Sequence, residues 1–175
     1  METAIKTKWT IDNAHSEVGF KVKHMMISTV KGHFEAYEAT IEANGEDFSE
    51  ASFQFSANID SINTKNKDRD NHLKSDDFFN AANYPEMTFT STSFNGETLT
   101  GDLTIRDITK EITLDVDING VAVDPYGQTK AGLEIRGKIN RKDFGLTWNA
   151  VTEAGSIVVS DTINLVIDAQ FIKKA

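Results

Sequence analysis

Apolar and polar residues alternate with a period of two along most of the chain. In Phe53-Gln54-Phe55-Ser56-Ala57-Asn58-Ile59 the alternation is strict. The same phase links Val18, Phe20 and Val22; Leu99, Leu103 and Ile105; and Ile112, Leu114, Val116 and Ile118. It returns in Leu133, Ile135 and Ile139 and in Ile163, Leu165, Ile167, Ala169 and Phe171. A step of 180° per residue gives each segment one buried and one wet face, as in antiparallel strands. Eight or nine strands in one chain of 175 residues make a single all-β domain, residues 1–175, built as a sandwich or a barrel. Two strands, about 110–122 and 128–141, are long. At about 3.3 Å per residue, 12 residues span about 40 Å, so a barrel built from them is tall.

Turn chemistry separates the strands. Asn95-Gly96 supplies two residues that tolerate positive φ and predicts a hairpin. Asp124-Pro125-Tyr126-Gly127 reads as a β-turn, and Asn119-Gly120 as a second turn or a bulge inside a longer strand. The polar stretch 61–85 breaks the alternation. Asn66 is placed to cap a short helix with Asp68 in its first turn, and Ser75 to cap another before Asp76 and Asp77. A helical insertion near residues 66–80 is therefore predicted. An excursion of that length acts as a lid or a binding element.

Composition removes several functions. The net charge is −9 and no basic run offsets it, which argues against nucleic acid and against docking on anionic membranes. There is no cysteine, so disulfides and thiolate chemistry are excluded. No stretch is long and apolar enough for a transmembrane helix. The N-terminal residues carry no apolar run of a signal peptide, which predicts a cytoplasmic protein, or a periplasmic one if a leader has been removed.

Common catalytic and metal motifs fail on detail. Gly132 to Lys138 nearly spells a phosphate loop, but Ile139 stands where Ser or Thr is required, and the segment alternates as a strand. Asp68-Arg69-Asp70-Asn71-His72 opens like a calcium loop, yet Leu73 replaces its glycine. His15, His24 and His33 have no compact ligand spacing, and no Gly-x-Ser-x-Gly elbow is present. No metal site and no catalytic residue is assigned.

Two polar residues keep the apolar phase. His24 continues Val18, Phe20 and Val22; Arg141 continues Leu133, Ile135 and Ile139. Both would sit at a barrel mouth, although strand ends also reach solvent and arginine can snorkel. In an up-and-down barrel the strands ending at His24, Ile59 and Arg141 finish at one rim, from which the insertion leaves. His24, Arg69, His72 and Arg141 would then surround one opening. Small residues at Ala57, Gly101, Ala131, Gly137 and Ala169 tilt the interior toward an open tunnel, while glycine equally marks bulges and corners.

Five groups of residues resemble one family. They are Trp9-Thr10-Ile11-Asp12 with His15-Ser16; Val18-Gly19-Phe20 through His24-Met25; and Gly32-His33-Phe34. The fourth is Thr64 with Arg69 through Phe79 and Tyr84-Pro85. The fifth runs from Gly101-Asp102-Leu103-Thr104-Ile105 and Thr109-Lys110 to Ile139 through Leu146. Together they resemble the YceI-like polyisoprenoid-binding proteins. The resemblance implies an extended eight-stranded antiparallel lipocalin-like barrel around a hydrophobic tunnel. It implies a bound isoprenoid lipid, a polyprenyl phosphate or an isoprenoid quinone, or a similar long-chain amphiphile, with no other cofactor. Such proteins often form homodimers.

On this reading the tail runs between Phe20, Val22, Phe34, Phe53, Phe55, Ile59, Phe89, Leu103, Leu114, Leu133, Ile135 and Leu165. His24, Arg69, His72 and Arg141 receive the head group, arginine through paired donors and histidine through a charge that titrates near neutrality. The expected function is sequestration or carriage, not catalysis. Two rivals are an enzyme using His24 or His72 as general base on a lipid, and a filled barrel acting as a stress-response interaction module.

Overall fold

Each long stretch of alternation becomes a wall strand of one barrel, seen in a computed structural model that describes residues 6–25, 27–148 and 159–174. The strands are β1 (Thr7–Ile11), β2 (Glu17–His24), β3 (Ser28–Phe34), β4 (Tyr37–Asn44), β5 (Asp47–Asn58) and β6 (Ile62–Asn63). After the helix α1 (Lys67–Lys74) come β7 (Glu86–Phe94), β8 (Thr98–Ile105), β9 (Ile108–Val123), β10 (Thr129–Asn140) and β11 (Val159–Lys173). The ring order is β1-β4-β5-β7-β8-β9-β10-β11, and β1 closes it against β11. The result is an eight-stranded antiparallel barrel in which consecutive strands alternate up and down.

Three of the wall strands are broken at one height. β11 pairs with β1 near its end, through Ile11↔Phe171, and with β2 nearer its start, through Glu17↔Asp168. β1 and β2 are therefore two halves of one wall strand, joined by a single turn at Asn13–His15 that the Asp12 side chain caps. β3 and β4 form a second broken strand across Glu35 and Ala36. β5 and β6 form a third across the turn Ile59–Ser61, capped by Asn58. Hydrogen bonds stitch the breaks together: the Tyr37 hydroxyl donates to the Ser16 carbonyl at 3.0 Å, and the Asn58 N–H to the Ala36 carbonyl at 2.9 Å.

Above this line the wall opens. β7 pairs with β5, whereas β6 pairs with β3. Between β6 and β7 the chain leaves the sheet, and α1 with the turns after it occupies the gap. The cap at Asn66 forms, its side chain accepting from the Arg69 N–H. Ser75 instead ends the same helix, its hydroxyl donating to the His72 carbonyl at 2.5 Å, so the second helix expected after it does not form. Among the described residues no helix is long and apolar enough to cross a membrane.

Most of the small interior residues have a different role from the one their size suggests. A Cβ on Gly137 would collide with Leu114, and one on Gly101 with the ring of Phe89 and the Thr90 carbonyl. Ala57, Ala131 and Ala169 are likewise buried in the packed core. Gly101, Gly137, Ala57 and Ala131 make room for bulky neighbours and line no hollow, whereas Ala169 lines the narrower interior space. Asn119-Gly120 is a bulge within β9: Gly120 faces Gly132 and Ile118 faces Leu133, leaving Asn119 unopposed.

Candidate functional site

The flared end of the barrel encloses a cavity of about 480 Å³, a size usual for small-molecule sites. Its walls are the inner faces of β2, β3, β10 and β11, and its roof is α1 with Phe78 and Phe79. Below it lies a second, narrower space of about 110 Å³, lined by Phe53, Phe55, Phe89, Leu103, Leu114 and Ile135 among others. Phe20, Phe34, Met87, Ile139 and Leu165 line both. The Phe20 and Phe34 rings stand 6.0 Å apart at 47° and form the septum between the two chambers.

Polarity is confined to the upper chamber. Helical spacing puts Arg69, His72 and Leu73 on the cavity side of α1. The Arg69 Nε donates to the Thr64 hydroxyl at 2.8 Å and its Nη2 to the Thr64 carbonyl at 2.5 Å. The Asp70 carboxylate accepts from the N–H and hydroxyl of Thr64, at 2.9 and 2.5 Å. This buried threonine orients the guanidinium, whose Nη1 has no hydrogen bond among the described residues. The His72 Nε2 lies 2.9 Å from Asp77, and the imidazole meets Trp148 edge-on at 4.6 Å and Phe78 at 5.1 Å. His24 lines the same chamber from the end of β2, with Lys23, Asn66 and Asp68.

Arg141 also reaches the cavity wall but holds the protein itself. It is 2% exposed, and its Nη1 donates to the carbonyls of Leu146 and Trp148 at 2.6 and 2.7 Å. Its Nε and Nη2 donate to the carbonyls of Ser160 and Val159. Burial pulls the guanidinium below its usual pKa, while Asp161 acts in the opposite sense. Arg141, expected as a head-group residue, lines the chamber while its donors converge on main-chain carbonyls. Arg106 braces the roof similarly, donating to the carbonyls of Phe78 and Gly145 at 3.3 and 3.5 Å and stacking over Tyr84.

A YceI-like domain profile matches residues 9–171. The chain belongs to the YceI-like family. It is 39% identical over 166 residues to a UPF0312 protein of Staphylococcus aureus strain MSSA476, covering 94% of this chain and 97% of that one. The solved YCEI protein of Campylobacter jejuni is 40% identical and superposes with a TM-score of 0.74, covering 100% of this chain and 99% of that one. A polyisoprenoid binding domain from Saccharophagus degradans shares the fold at 16% identity, with a TM-score of 0.72 and coverage of 95% and 98%.

Within this YceI-like barrel His24, Arg69 and His72 lie around one chamber, as does the inward-turned Arg141. Phe20, Val22, Phe34 and Leu165 line the upper space, and Phe53, Phe55, Phe89, Leu103, Leu114 and Ile135 the lower. Ile59 and Leu133 line neither. Ile59 sits in the turn between β5 and β6 and Leu133 beside the β9 bulge, both closed in the core at 2% and 1% exposure. Periodicity missed Trp148, Phe78, Leu146 and Phe79, since all four lie outside the alternating strands. The family motif, which contains Phe78, Phe79 and Leu146, pointed toward those three, and nothing in the sequence pattern pointed to Trp148.

Proposed function

We propose that this protein binds and carries a long-chain isoprenoid lipid or a closely similar amphiphile. The observation that carries the reading is a two-chambered hollow that is apolar along its length and polar at one end. The tail would pass Phe20 and Phe34 into the lower chamber, and the head would stay near Arg69, His72 and His24. An isoprenoid is also what the resemblance implies and what the name of the Saccharophagus degradans domain states for that protein.

Energetics support the size of the effect. Burying roughly 20 tail carbons yields about 16 kcal/mol gross, much of it offset by ordering of the ligand and lost translational freedom. A net of about −8 to −12 kcal/mol corresponds to micromolar to nanomolar Kd. Nothing in such sequestration requires bond chemistry, and the His72–Asp77 pair serves to hold the roof against Trp148.

The test is extraction of the purified protein with organic solvent, followed by mass spectrometry and by titration with polyprenyl phosphates and isoprenoid quinones. A co-purifying isoprenoid, or saturable uptake of one, is the expected result. An empty extract with no uptake of either class defeats the proposal. Conversion of a bound polyprenyl compound, abolished by His72→Ala, would favour an enzyme instead.

A further inference from the structure

The outer face of the wall beside the cavity mouth is basic, although the chain as a whole carries −9. Lys138 on β10 faces Asn164 on β11, Asn164 faces Lys21 on β2, and Lys21 faces Lys31 on β3, in one continuous cross-strand row. Lys23 lies one step nearer the rim, donating to the Thr29 hydroxyl at 3.0 Å. None of these four lysines forms an ion pair among the described residues. Like charges set directly across strands, as at Lys21 and Lys31, destabilise the free sheet. An anion outside the chain would relieve that repulsion.

Of the acidic residues on β10, β11, β2 and β3, Asp161 lies at the rim, paired with Lys142 at 3.3 Å and Arg141 at 3.7 Å; the others lie farther from the mouth. Glu134, Asp168 and Glu17 form the row four residues below, about 13 Å away at 3.3 Å per residue. That exceeds the screening length of about 8 Å at physiological ionic strength, so the lysine row presents its own sign to a surface at the rim.

The hairpin carrying this row ends in exposed apolar side chains. Ile27 is 82% exposed and Met25 36%, in the turn between β2 and β3. Lys23 and His24, directly before that turn, line the cavity. An apolar tip backed by lysines suits the boundary between head groups and acyl chains, where the tip is buried and the ammonium groups face phosphates.

We propose that the β2–β3 hairpin docks on an anionic lipid surface, Ile27 and Met25 entering the head-group layer while Lys21, Lys23, Lys31 and Lys138 face its phosphates, and that this sets the cavity mouth against the bilayer. A nucleic acid would engage the lysines and leave Ile27 without a role. The docking surface is independent of what fills the cavity, so it stands or falls apart from the carrier reading.

Co-sedimentation of the full chain with vesicles tests it, using phosphatidylcholine alone and equal parts phosphatidylcholine and phosphatidylglycerol, at low and high salt. The protein is expected to partition onto the mixed vesicles and to leave them as salt rises. Each lysine contributes about fivefold, so Lys21→Gln, Lys31→Gln and Lys138→Gln together lower partition by roughly a hundredfold. Ile27→Ser lowers it by about tenfold. All four positions are on the outer surface, and unchanged urea midpoints verify that the variants fold. Equal partition onto neutral and mixed vesicles, none onto the mixed ones, or an unaffected triple variant overturns the proposal. So does lysine-dependent binding to an RNA oligomer with none to vesicles.

Discussion

The guanidinium of Arg141 holds the Trp148 carbonyl at 2.7 Å, from the far end of a strand to the residue that roofs the cavity. The same group carries the Leu146, Ser160 and Val159 carbonyls, so one side chain ties the end of β10 to the start of β11 and to the roof. Removing it takes this donor from the buried Leu146 carbonyl and from the part-buried Trp148 and Ser160 carbonyls. Arg141→Ala is expected to lower stability by about 3–5 kcal/mol, read as a shift of the urea midpoint at unchanged slope. Arg141→Lys should recover little of this, because a single ammonium cannot reproduce the planar fork. A variant as stable as the parent would show that the carbonyls find water.

Gly137 and Leu114 form a second coupled pair, since the leucine fills the volume that a Cβ on residue 137 would need. Gly137→Ala is expected to cost about 1–3 kcal/mol through overpacking. In a Leu114→Ala background the same substitution should cost much less, because the opposing methyl groups are gone. The double-mutant cycle measures that coupling. Simple additivity would mean that the backbone, not Leu114, sets the requirement for glycine.

The fold was legible because alternation reports which face of a strand is buried, and that property survives closure into a barrel. The bend between Phe34 and Tyr37 and the turn at Asn13–His15 left little trace in the pattern, since β2 and β4 resume alternation soon after each break. The common rim was legible from strand direction alone: His24, α1 and Arg141 do lie together. What Arg141 touches was not, because phase says that a side chain points inward and nothing about the carbonyls waiting there. Gly101 and Gly137 misled for a related reason. A small residue opens space only if its neighbours leave that space empty, and Phe89 and Leu114 do not.

The break between β1 and β2 carries a charge cluster with a defined pH signature. Asp12 accepts from Lys130 at 3.0 Å and lies 2.8 Å from the His15 ring, while Lys130 also meets Asp124 at 3.3 Å. Burial pushes the Asp12 carboxyl upward, but hydrogen bonds from His15, Lys130 and the Ala14 N–H outweigh it and hold the pKa below the ordinary 3.8. A carboxyl depressed in the folded state contributes stability above its unfolded pKa and loses it as pH falls through the folded one. The stability difference between the parent and Asp12→Asn should therefore be full near neutrality and shrink below about pH 4. Urea unfolding across that range checks it; a difference that grows on acidification would reverse the assignment.

The septum of Phe20 and Phe34 should set which tails the cavity prefers. Both rings line the two chambers, so a tail that uses the lower space must pass them. Phe20→Ala widens the passage and removes packing against Phe34, at a stability cost of about 3–5 kcal/mol or less, given that Phe20 is only partly buried. Affinity for short-tailed isoprenoids should fall with the lost contacts, while that for long-tailed ones holds or rises, so the ratio of the two moves toward length. Arg69→Gln should act on the other end of the ligand. It removes the Nη1 donor and the charge beside the mouth, lowering affinity for a polyprenyl phosphate by about tenfold or more. Affinity for a neutral quinone of equal tail length should barely change. Calorimetric titration of the four combinations separates tail from head, and equal losses for both ligands in Arg69→Gln would place the head group elsewhere.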